Sequence, residues 1–225
     1  MNKILLLLLS IIGSLSLSWV PLYGHYPREG KLSIEPSIFY GFPTNNILVG
    51  ITNIGTNITM TGGGGNGTAV SFYYGLDENL DLGLVLGTQS NGFTPTLINA
   101  AANFKRNFYV VSCKYSIASE NNETYKLGFG LGQYSPGDLI MDLTAVGLGL
   151  QAIQYGDSIG YNFTLDWEKG IYKNISWLTG VRYSSVSYKV RSLSVSGHPF
   201  PLGWLRSEFL NLDGSSIDII LGLKF

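Results

Sequence analysis

Nine charged residues stand at alternate positions within apolar stretches of this 225-residue chain, and they are the side chains most able to do chemistry. The acids are Glu35, Asp81, Asp166, Glu168 and Asp218, and the bases are Lys114, Lys126, Arg182 and Lys224. Paired carboxylates can serve a hydrolase as general acid and general base. A near balance of acids and bases is also what a buried network of ion pairs requires. The elements that carry these residues decide between the two interpretations.

The sequence lacks the residue patterns of other common catalytic and binding sites. The two histidines, His25 and His198, do not stand in a strand at two-residue spacing from a serine, so no nucleophile and base are assembled. The lone Cys113 cannot form an intramolecular disulfide framework or a zinc cluster. The glycine run at residues 62–65 lacks the Lys-Ser/Thr of a phosphate-binding loop. The sequence therefore predicts no enzyme, no metal site and no cofactor.

Composition and the first segment narrow the class of protein. The chain is 45% hydrophobic and 13% charged with a net charge of −1, which argues against a disordered chain and against a nucleic-acid-binding protein. Residues 1–24 combine Lys3 with an apolar run at residues 4–12 that fades into Gly and Ser, the pattern of a secretory signal peptide. The run is too short for a membrane-spanning helix. We expect cleavage after Ser18 or Gly24 and a single mature domain, residues 25–225.

The mature chain alternates apolar and polar residues with the period of a β-strand. The pattern occurs in eight stretches: residues 32–42, 69–76, 80–88, 108–117, 125–133, 158–168, 175–183 and 216–225. Short connections (77–79, 118–124, 169–174) alternate with long ones (43–67, 89–107, 134–157, 184–214). Short turns on one rim and long loops on the other are typical of outer-membrane barrels, in which the apolar face of each strand meets lipid.

Aromatic residues in the apolar register support this orientation. One set stands at the strand ends beside the short turns or the C-terminus: Tyr74, Tyr115, Tyr125, Trp167, Trp177 and Phe225. A looser set at the opposite ends is Tyr40, Phe42, Tyr109 and Tyr161. Such rings favour the level of the lipid headgroups, because their bodies are apolar and their edges are polar. With the apolar face in lipid, the nine charged residues point into the barrel, and we expect a lumen largely filled by an ion-pair network.

The signal peptide, the eight alternating strands, the loop asymmetry and the last strand, IDIILGLKF, resemble the small eight-stranded outer-membrane β-barrels of the OmpA and OmpX kind in Gram-negative bacteria. The resemblance implies an all-β, antiparallel up-and-down transmembrane barrel with short periplasmic turns and long extracellular loops. It also implies a C-terminal assembly signal, read by the barrel-assembly machinery and carried by Ile217, Ile219, Leu221, Leu223 and Phe225. We expect no periplasmic domain after Phe225, so the resemblance does not extend to a peptidoglycan-binding role.

Two long segments leave alternatives open. If residues 46–54 and 145–155 were both strands of the wall, the barrel would have ten strands, which we rank second. After Pro201, Leu202, Leu205, Phe209 and Leu212 stand at helical spacing, which indicates a short helix packed on the barrel mouth. The alternative is a contact with a partner through Trp204 and Phe209, with His198 as a further loop candidate.

Function is expected in the loops, because binding usually resides in loops on a rigid scaffold. We predict an outer-membrane protein that acts through its surface loops in adhesion, interaction or envelope integrity. The expected partners are outer-membrane lipid and lipopolysaccharide, the barrel-assembly machinery, and host or envelope proteins, with no nucleic acid. The alternatives are a narrow porin-like channel or transporter for small solutes and, ranked third, a lipid-modifying outer-membrane enzyme.

Overall fold

The computed structural model describes residues 29–120, 122–172 and 174–225. The predicted signal peptide and His25 lie outside these residues. The described part of the chain is almost entirely β-structure, and none of its helices is long and apolar enough to cross a membrane. Its strands, numbered in chain order, are β1 (Leu32–Pro43), β2 (Ile47–Ile51), β3 (Asn57–Met60), β4 (Gly65–Gly75), β5 (Leu80–Asn91), β6 (Ala101–Glu120), β7 (Glu123–Pro136), β8 (Leu139–Leu143), β9 (Gly149–Tyr155), β10 (Ser158–Tyr172), β11 (Ile175–Ser185), β12 (Ser187–Val195), β13 (His198–Phe200), β14 (Asn211–Asp213) and β15 (Ser216–Lys224).

Eight of these strands, β1, β4, β5, β6, β7, β10, β11 and β15, form a closed antiparallel barrel. Each pairs with its neighbour along the wall, and β15 returns to pair with β1 from Ser37↔Gly222 to Pro43↔Ser216. Reciprocal backbone hydrogen bonds between Ile34 and Phe225 extend this seam, at 3.1 and 3.0 Å. The predicted eight-stranded all-β barrel is confirmed.

The alternation of apolar and polar residues in the sequence corresponds to the two faces of the barrel wall: apolar residues face outward and polar residues face the lumen. In β7, Leu127, Phe129 and Leu131 face outward and stay exposed to the surroundings, while Lys126 is completely buried on the opposite face. The other wall strands show the same arrangement, with half-exposed aliphatic and aromatic side chains outside and buried polar ones inside. This is the reverse of a soluble protein, in which the apolar side chains are buried. A wall of this kind is stable only where lipid covers its outer face.

The long loops build a second, smaller structure on one rim. The upper end of β6, residues 101–103, pairs with β8, and the sheet continues through β9 and β12 to β13, with β14 also on β12. The hairpin β2–β3 forms a separate two-stranded sheet. The segments 46–54 and 145–155 therefore do contain strands, but these lie outside the wall. The ten-stranded alternative is wrong because β2 and β9 pair with other loop strands.

The segment after Pro201 is only partly helical. It contains a 3₁₀ turn at Leu202–Trp204 and a single α-helical turn at Ser207–Leu210. Leu212 instead lies in β14, where it pairs with Tyr188 of β12 and is completely buried. Phe209 is also buried, in the same apolar cluster. Leu202 and Leu205 are partly buried against the same cluster, so all four residues pack on the barrel mouth as predicted. The predicted short helix through Leu212 is wrong, because strand pairing with β12 begins at Asn211.

Candidate functional site

Seven buried charges form one connected network at the short-turn end of the lumen, here called the short-turn cluster. Lys114 Nζ lies 2.7 Å from Glu35 Oε2 and 2.8 Å from Asp166 Oδ2. Lys126 Nζ lies 2.7 Å from Asp81 Oδ2 and 2.6 Å from Glu168 Oε1. Lys224 joins the two groups, at 3.5 Å from Glu35 Oε1 and 3.3 Å from Glu168 Oε2. Four carboxylates and three ammonium groups make the cluster net −1.

A second group of polar residues, the loop-side cluster, lies nearer the long loops. Arg182 Nη2 is 2.8 Å from Asp218 Oδ2, and Ser216 donates a 2.8 Å hydrogen bond to the other oxygen of that carboxylate. Arg106 donates to Gln89 at 2.8 Å, to Ser216 at 3.1 Å and to the backbone carbonyl of Gly214. Two guanidinium groups and one carboxylate make this cluster net +1, so the two clusters together are neutral.

All nine charged residues predicted to line the lumen are buried there, and no more than 5% of any of them is exposed. Two members of the loop-side cluster, Arg106 and Gln89, are not predicted by the alternation in the sequence, and each is 2% exposed. Arg106 falls in a predicted long loop, whereas β6 begins at Ala101 and carries Arg106 into the barrel. The addition of Arg106 changes the inward balance from five acids and four bases to five of each.

Aromatic side chains fill the lumen between and above the charges. The rings of Phe39 and Phe108 lie 6.0 Å apart, and Tyr134 packs 5.7 Å from Phe108. The Arg182 guanidinium lies over Phe39 at 4.4 Å, and the Lys114 ammonium lies over Tyr73 at 4.3 Å. A cavity of about 30 Å³ remains among these groups, next to Lys114, Asp166 and Arg182. It is large enough for about one water molecule.

The predicted belt of aromatic residues lies on the outer face at the short-turn ends of the strands. Tyr115, Tyr125 and Trp177 are 41–53% exposed, and Tyr74, Trp167 and Phe225 are half-buried. The indole of Trp167 donates a 3.1 Å hydrogen bond to Glu123, which in turn lies 2.8 Å from Lys169. A charged edge beside an apolar ring is the arrangement expected at a lipid headgroup boundary.

The extracellular rim presents apolar side chains at the tips of four loops. Ile54 and Ile98 are exposed in the first two loops, Val146 and Leu148 in the third, and Trp204 in the fourth, where it is 75% exposed. The turn of the third loop is fixed by Thr144, whose backbone N–H and hydroxyl both donate to Asp142 and lower the pKa of its carboxyl.

Two of the three proposed loop contacts are accessible. Trp204 stacks edge-on with Phe200, and His198 is exposed in β13 rather than in an irregular loop. Phe209 is only 6% exposed, so its direct contact with a partner is a wrong expectation: the ring packs into the mouth of the barrel instead. Among residues 29–120, 122–172 and 174–225, no group of three His, Cys, Asp or Glu side chains is placed to hold a metal ion.

Comparisons with solved structures assign the fold. The chain is similar to the outer membrane protein OprG from Pseudomonas aeruginosa, with a TM-score of 0.55 and 14% identity over 91% of this chain and 99% of that one. It is similar to Neisserial surface protein A, with a TM-score of 0.52 and 14% identity over 86% and 95% of the two chains. For the outer membrane protein AlkL, whose structure was determined in lipid bilayers, the TM-score is 0.52 and the identity 12%, over 91% and 93%. No family model matches the chain, and no curated relative matches its sequence.

The chain therefore has the fold of the small eight-stranded outer-membrane β-barrels, as the resemblance in sequence implied. The apolar outer wall and polar lumen agree with that class, whose members are integral proteins of the bacterial outer membrane. At 12–14% identity the likeness concerns the fold, and function must be argued from the lumen and the loops.

Proposed function

We propose that this protein is a sealed barrel of the bacterial outer membrane that binds a partner through its extracellular loops, in adhesion or in maintaining the envelope. The observation that carries the proposal is a contrast between the two ends of the molecule. The lumen is closed by neutralised charges and aromatic rings, whereas the loops form an ordered sheet with apolar side chains at its tips.

The sealed lumen argues against solute passage as the main function. A conducting path would have to separate carboxylates and ammonium groups that now lie 2.6–2.8 Å apart without bulk water. Separating a buried ion pair leaves uncompensated charges, at a cost of several kcal/mol for each ion. The residual cavity of about 30 Å³ does not offer a solute an alternative route.

The strands β8, β9, β12, β13 and β14 on the extracellular rim, here called the loop sheet, are suited to binding because they are already ordered. Cross-strand pairing fixes β8, β9 and β12, and a buried layer that includes Tyr155 and Tyr188 supports them from below. A surface that is ordered before binding loses less conformational entropy when a partner docks. Its exposed tips are aliphatic or aromatic, so contacts with a partner depend on apolar burial more than on charge.

The outer wall and the last strand support the other proposed partners, which are outer-membrane lipid, lipopolysaccharide and the barrel-assembly machinery. The half-exposed apolar wall requires outer-membrane lipid around it, with lipopolysaccharide at the extracellular side. The outward residues Ile217, Ile219, Leu221 and Leu223 run along β15 to Phe225 at the barrel seam. We propose that the barrel-assembly machinery engages this strand, and that host or envelope proteins engage the loops.

Adherence of cells displaying the protein tests the proposal. We compare the native chain with a Trp204→Ser/Ile98→Ser variant on a panel of immobilised glycoproteins and on whole cells, at low and high salt. Adherence that persists at high salt and falls at least about tenfold in the variant is expected, because two exposed apolar anchors are lost. The control is Ile171→Ser, which removes an exposed apolar side chain at the short-turn side.

Conductance in planar bilayers distinguishes the sealed barrel from a channel. The purified native protein is expected to give no steady openings above the bilayer background, because the lumen is blocked. Reproducible single-channel steps, together with unchanged adherence in the loop variant, would replace the proposal with the narrow-channel alternative.

A further inference from the structure

A groove of about 790 Å³ opens on the outer wall of the barrel, on the face that the strands turn to lipid. The strand register carries two rows of outward side chains across it: Leu221–Ile38–Thr68–Thr88–Asn107, and Ile219–Tyr40–Asn66–Ser90–Lys105. Both rows are apolar on β15 and β1 and become polar on β4, β5 and β6. The groove is therefore amphipathic across its width.

The polar half of the groove begins within the apolar band of the membrane. Thr68 stands six residues above the belt residue Tyr74 on β4, which at ~3.3 Å per residue and a tilt of ~45° is about 14 Å. Lys105 stands ten residues above Tyr115 on β6, about 23 Å by the same arithmetic. Since the apolar band of such barrels is ~25 Å tall, Thr68 lies near its middle and Lys105 at its outer edge.

The polar groups of the groove have no side-chain partner in the part of the chain that the structure describes. Among the described residues, no hydrogen bond or ion pair involves the side chains of Asn66, Thr68, Ser90 or Lys105. Among the same residues, the hydroxyl of Thr88, whose side chain also lines the groove, is covered and has no hydrogen-bond partner. Unpaired polar groups at this depth are costly unless a ligand satisfies them.

We propose that the groove binds an anionic glycolipid of the outer leaflet. One acyl chain lies along Ile38, Ile219 and Leu221, which form the apolar half. Hydroxyl and amide groups at the top of the chain and in the sugar hydrogen-bond to Asn66, Thr68 and Ser90. The headgroup phosphate pairs with Lys105, whose charge complements it at the level of the headgroups.

A phospholipid without a sugar would satisfy fewer of these groups. Its ester region is compact, whereas the polar half of the groove spans about 9 Å of membrane depth, from Thr68 to Lys105, by the same strand geometry. A glycolipid with several hydroxyl and amide groups matches that length. A second copy of this chain would cover the apolar half but would place further aliphatic side chains against the polar half.

The test measures which lipid the full-length protein retains. The protein is reconstituted in phosphatidylcholine nanodiscs that contain a small fraction of either lipid A, a phosphorylated acyl-glucosamine disaccharide, or its dephosphorylated form. Bound lipids are counted by native mass spectrometry after bulk lipid is stripped. We expect enrichment of lipid A over phosphatidylcholine, and a reduction of about fivefold in the Lys105→Gln variant.

Two further variants separate charge from hydrogen bonding. Asn66→Ala/Thr68→Val is expected to lower retention of both glycolipids, and Lys105→Arg to preserve it. Lys169→Gln, which removes a charge at the opposite interface, serves as the matched control. Equal lipid A retention in Lys105→Gln and Lys169→Gln, no preference over phosphatidylcholine, or a dimer cross-linked through the groove would overturn the proposal.

The inference rests on the membrane placement that the proposed function also uses, and the two fail separately. Each variant is checked by its migration on an unheated gel, which reports a folded barrel. Folded protein that adheres but shows no glycolipid preference removes only the groove proposal. Folded protein that retains lipid A but does not adhere removes only the loop proposal.

Discussion

The lysines of the short-turn cluster illustrate how a single residue can control the stability of the barrel. Lys126 is completely buried and lies within 2.7 Å of two carboxylates that belong to two different strands. Without it, Asp81 and Glu168 would face each other with less compensation in a medium that contains little water. The stability of the barrel therefore depends less on the favourable energy of the Lys126 ion pairs than on the cost of leaving their carboxylates buried without a partner.

Lys126→Met is expected to destabilise the folded barrel by about 3–5 kcal/mol, because it leaves buried carboxylates without their ammonium partner. Urea unfolding in lipid vesicles measures the free energy. The control, Lys169→Met, removes a lysine that is 52% exposed and paired with Glu123 at the surface, and little change is expected. Equal stability of the two variants would show that water enters the cluster and that the lumen is not sealed at this end.

At the scale of strands, glycines determine where large rings fit inside the wall. Gly67 on β4 lies beneath the ring of Phe39, and Gly87 on β5 lies beneath the ring of Phe108. A Cβ at either position would overlap the ring opposite. These glycines relieve crowding around inward aromatic residues, and the filled lumen depends on the small neighbour as much as on the large one.

Gly87→Ala is expected to destabilise the barrel by about 1–3 kcal/mol, because the ring of Phe108 is held in place by Phe39, Tyr134 and Arg182 and cannot shift freely. The free energy of unfolding in vesicles is again the measurement. Gly203→Ala is the matched control, since nothing lies within 4 Å of a Cβ there. A Gly87→Ala variant as stable as this control would mean that the aromatic layer is loosely packed.

The sequence predicted the strands well in the lower part of the lipid band and less well toward its outer edge, for a physical reason. In the lower part, outward residues meet lipid, so apolar alternation marks every wall strand there. Toward the outer edge, the outward residues of β6 are polar and the inward ones include apolar residues: Phe104 and Arg106 point inward, while Lys105 points outward. A search for outward apolar residues therefore begins β6 too late and misses Arg106 of the loop-side cluster.

The loop sheet was hidden from sequence for a different reason. Residues 146–155 alternate, but the partners of β9 are β8 and β12, and β12 lies more than thirty residues further along the chain. Pairing over that distance depends on where the barrel places the loop ends, and local patterns do not contain this information. The same holds for β14, whose pairing with β12 replaces the helix that the spacing after Pro201 predicts.

For the whole molecule, the barrel and the loop sheet form one continuous structure. Strand β6, 20 residues long, runs from the short-turn rim to its pairing with β8, and the sheet it belongs to has 13 strands. The segment after Trp204 contains β14 and β15, and β15 pairs with β11 at nine positions and with β1 at seven. A break in the fourth loop should therefore leave the barrel closed.

Chymotrypsin treatment of intact cells tests whether the barrel stays closed after a cut in the fourth loop. Cleavage is expected after Trp204, the most exposed aromatic residue of the described loops. Phe200 is protected because Pro201 follows it. Tyr155, Tyr188 and Phe209 are protected because they are buried. The nicked protein should migrate on an unheated gel as one compact species and separate into two fragments after heating, because the hydrogen bonds of β15 hold the pieces together. Trp204→Gly should resist the cut. If the native protein separates without heating, or is cut at Tyr188, the loop sheet opens independently and cannot serve as the preordered binding surface.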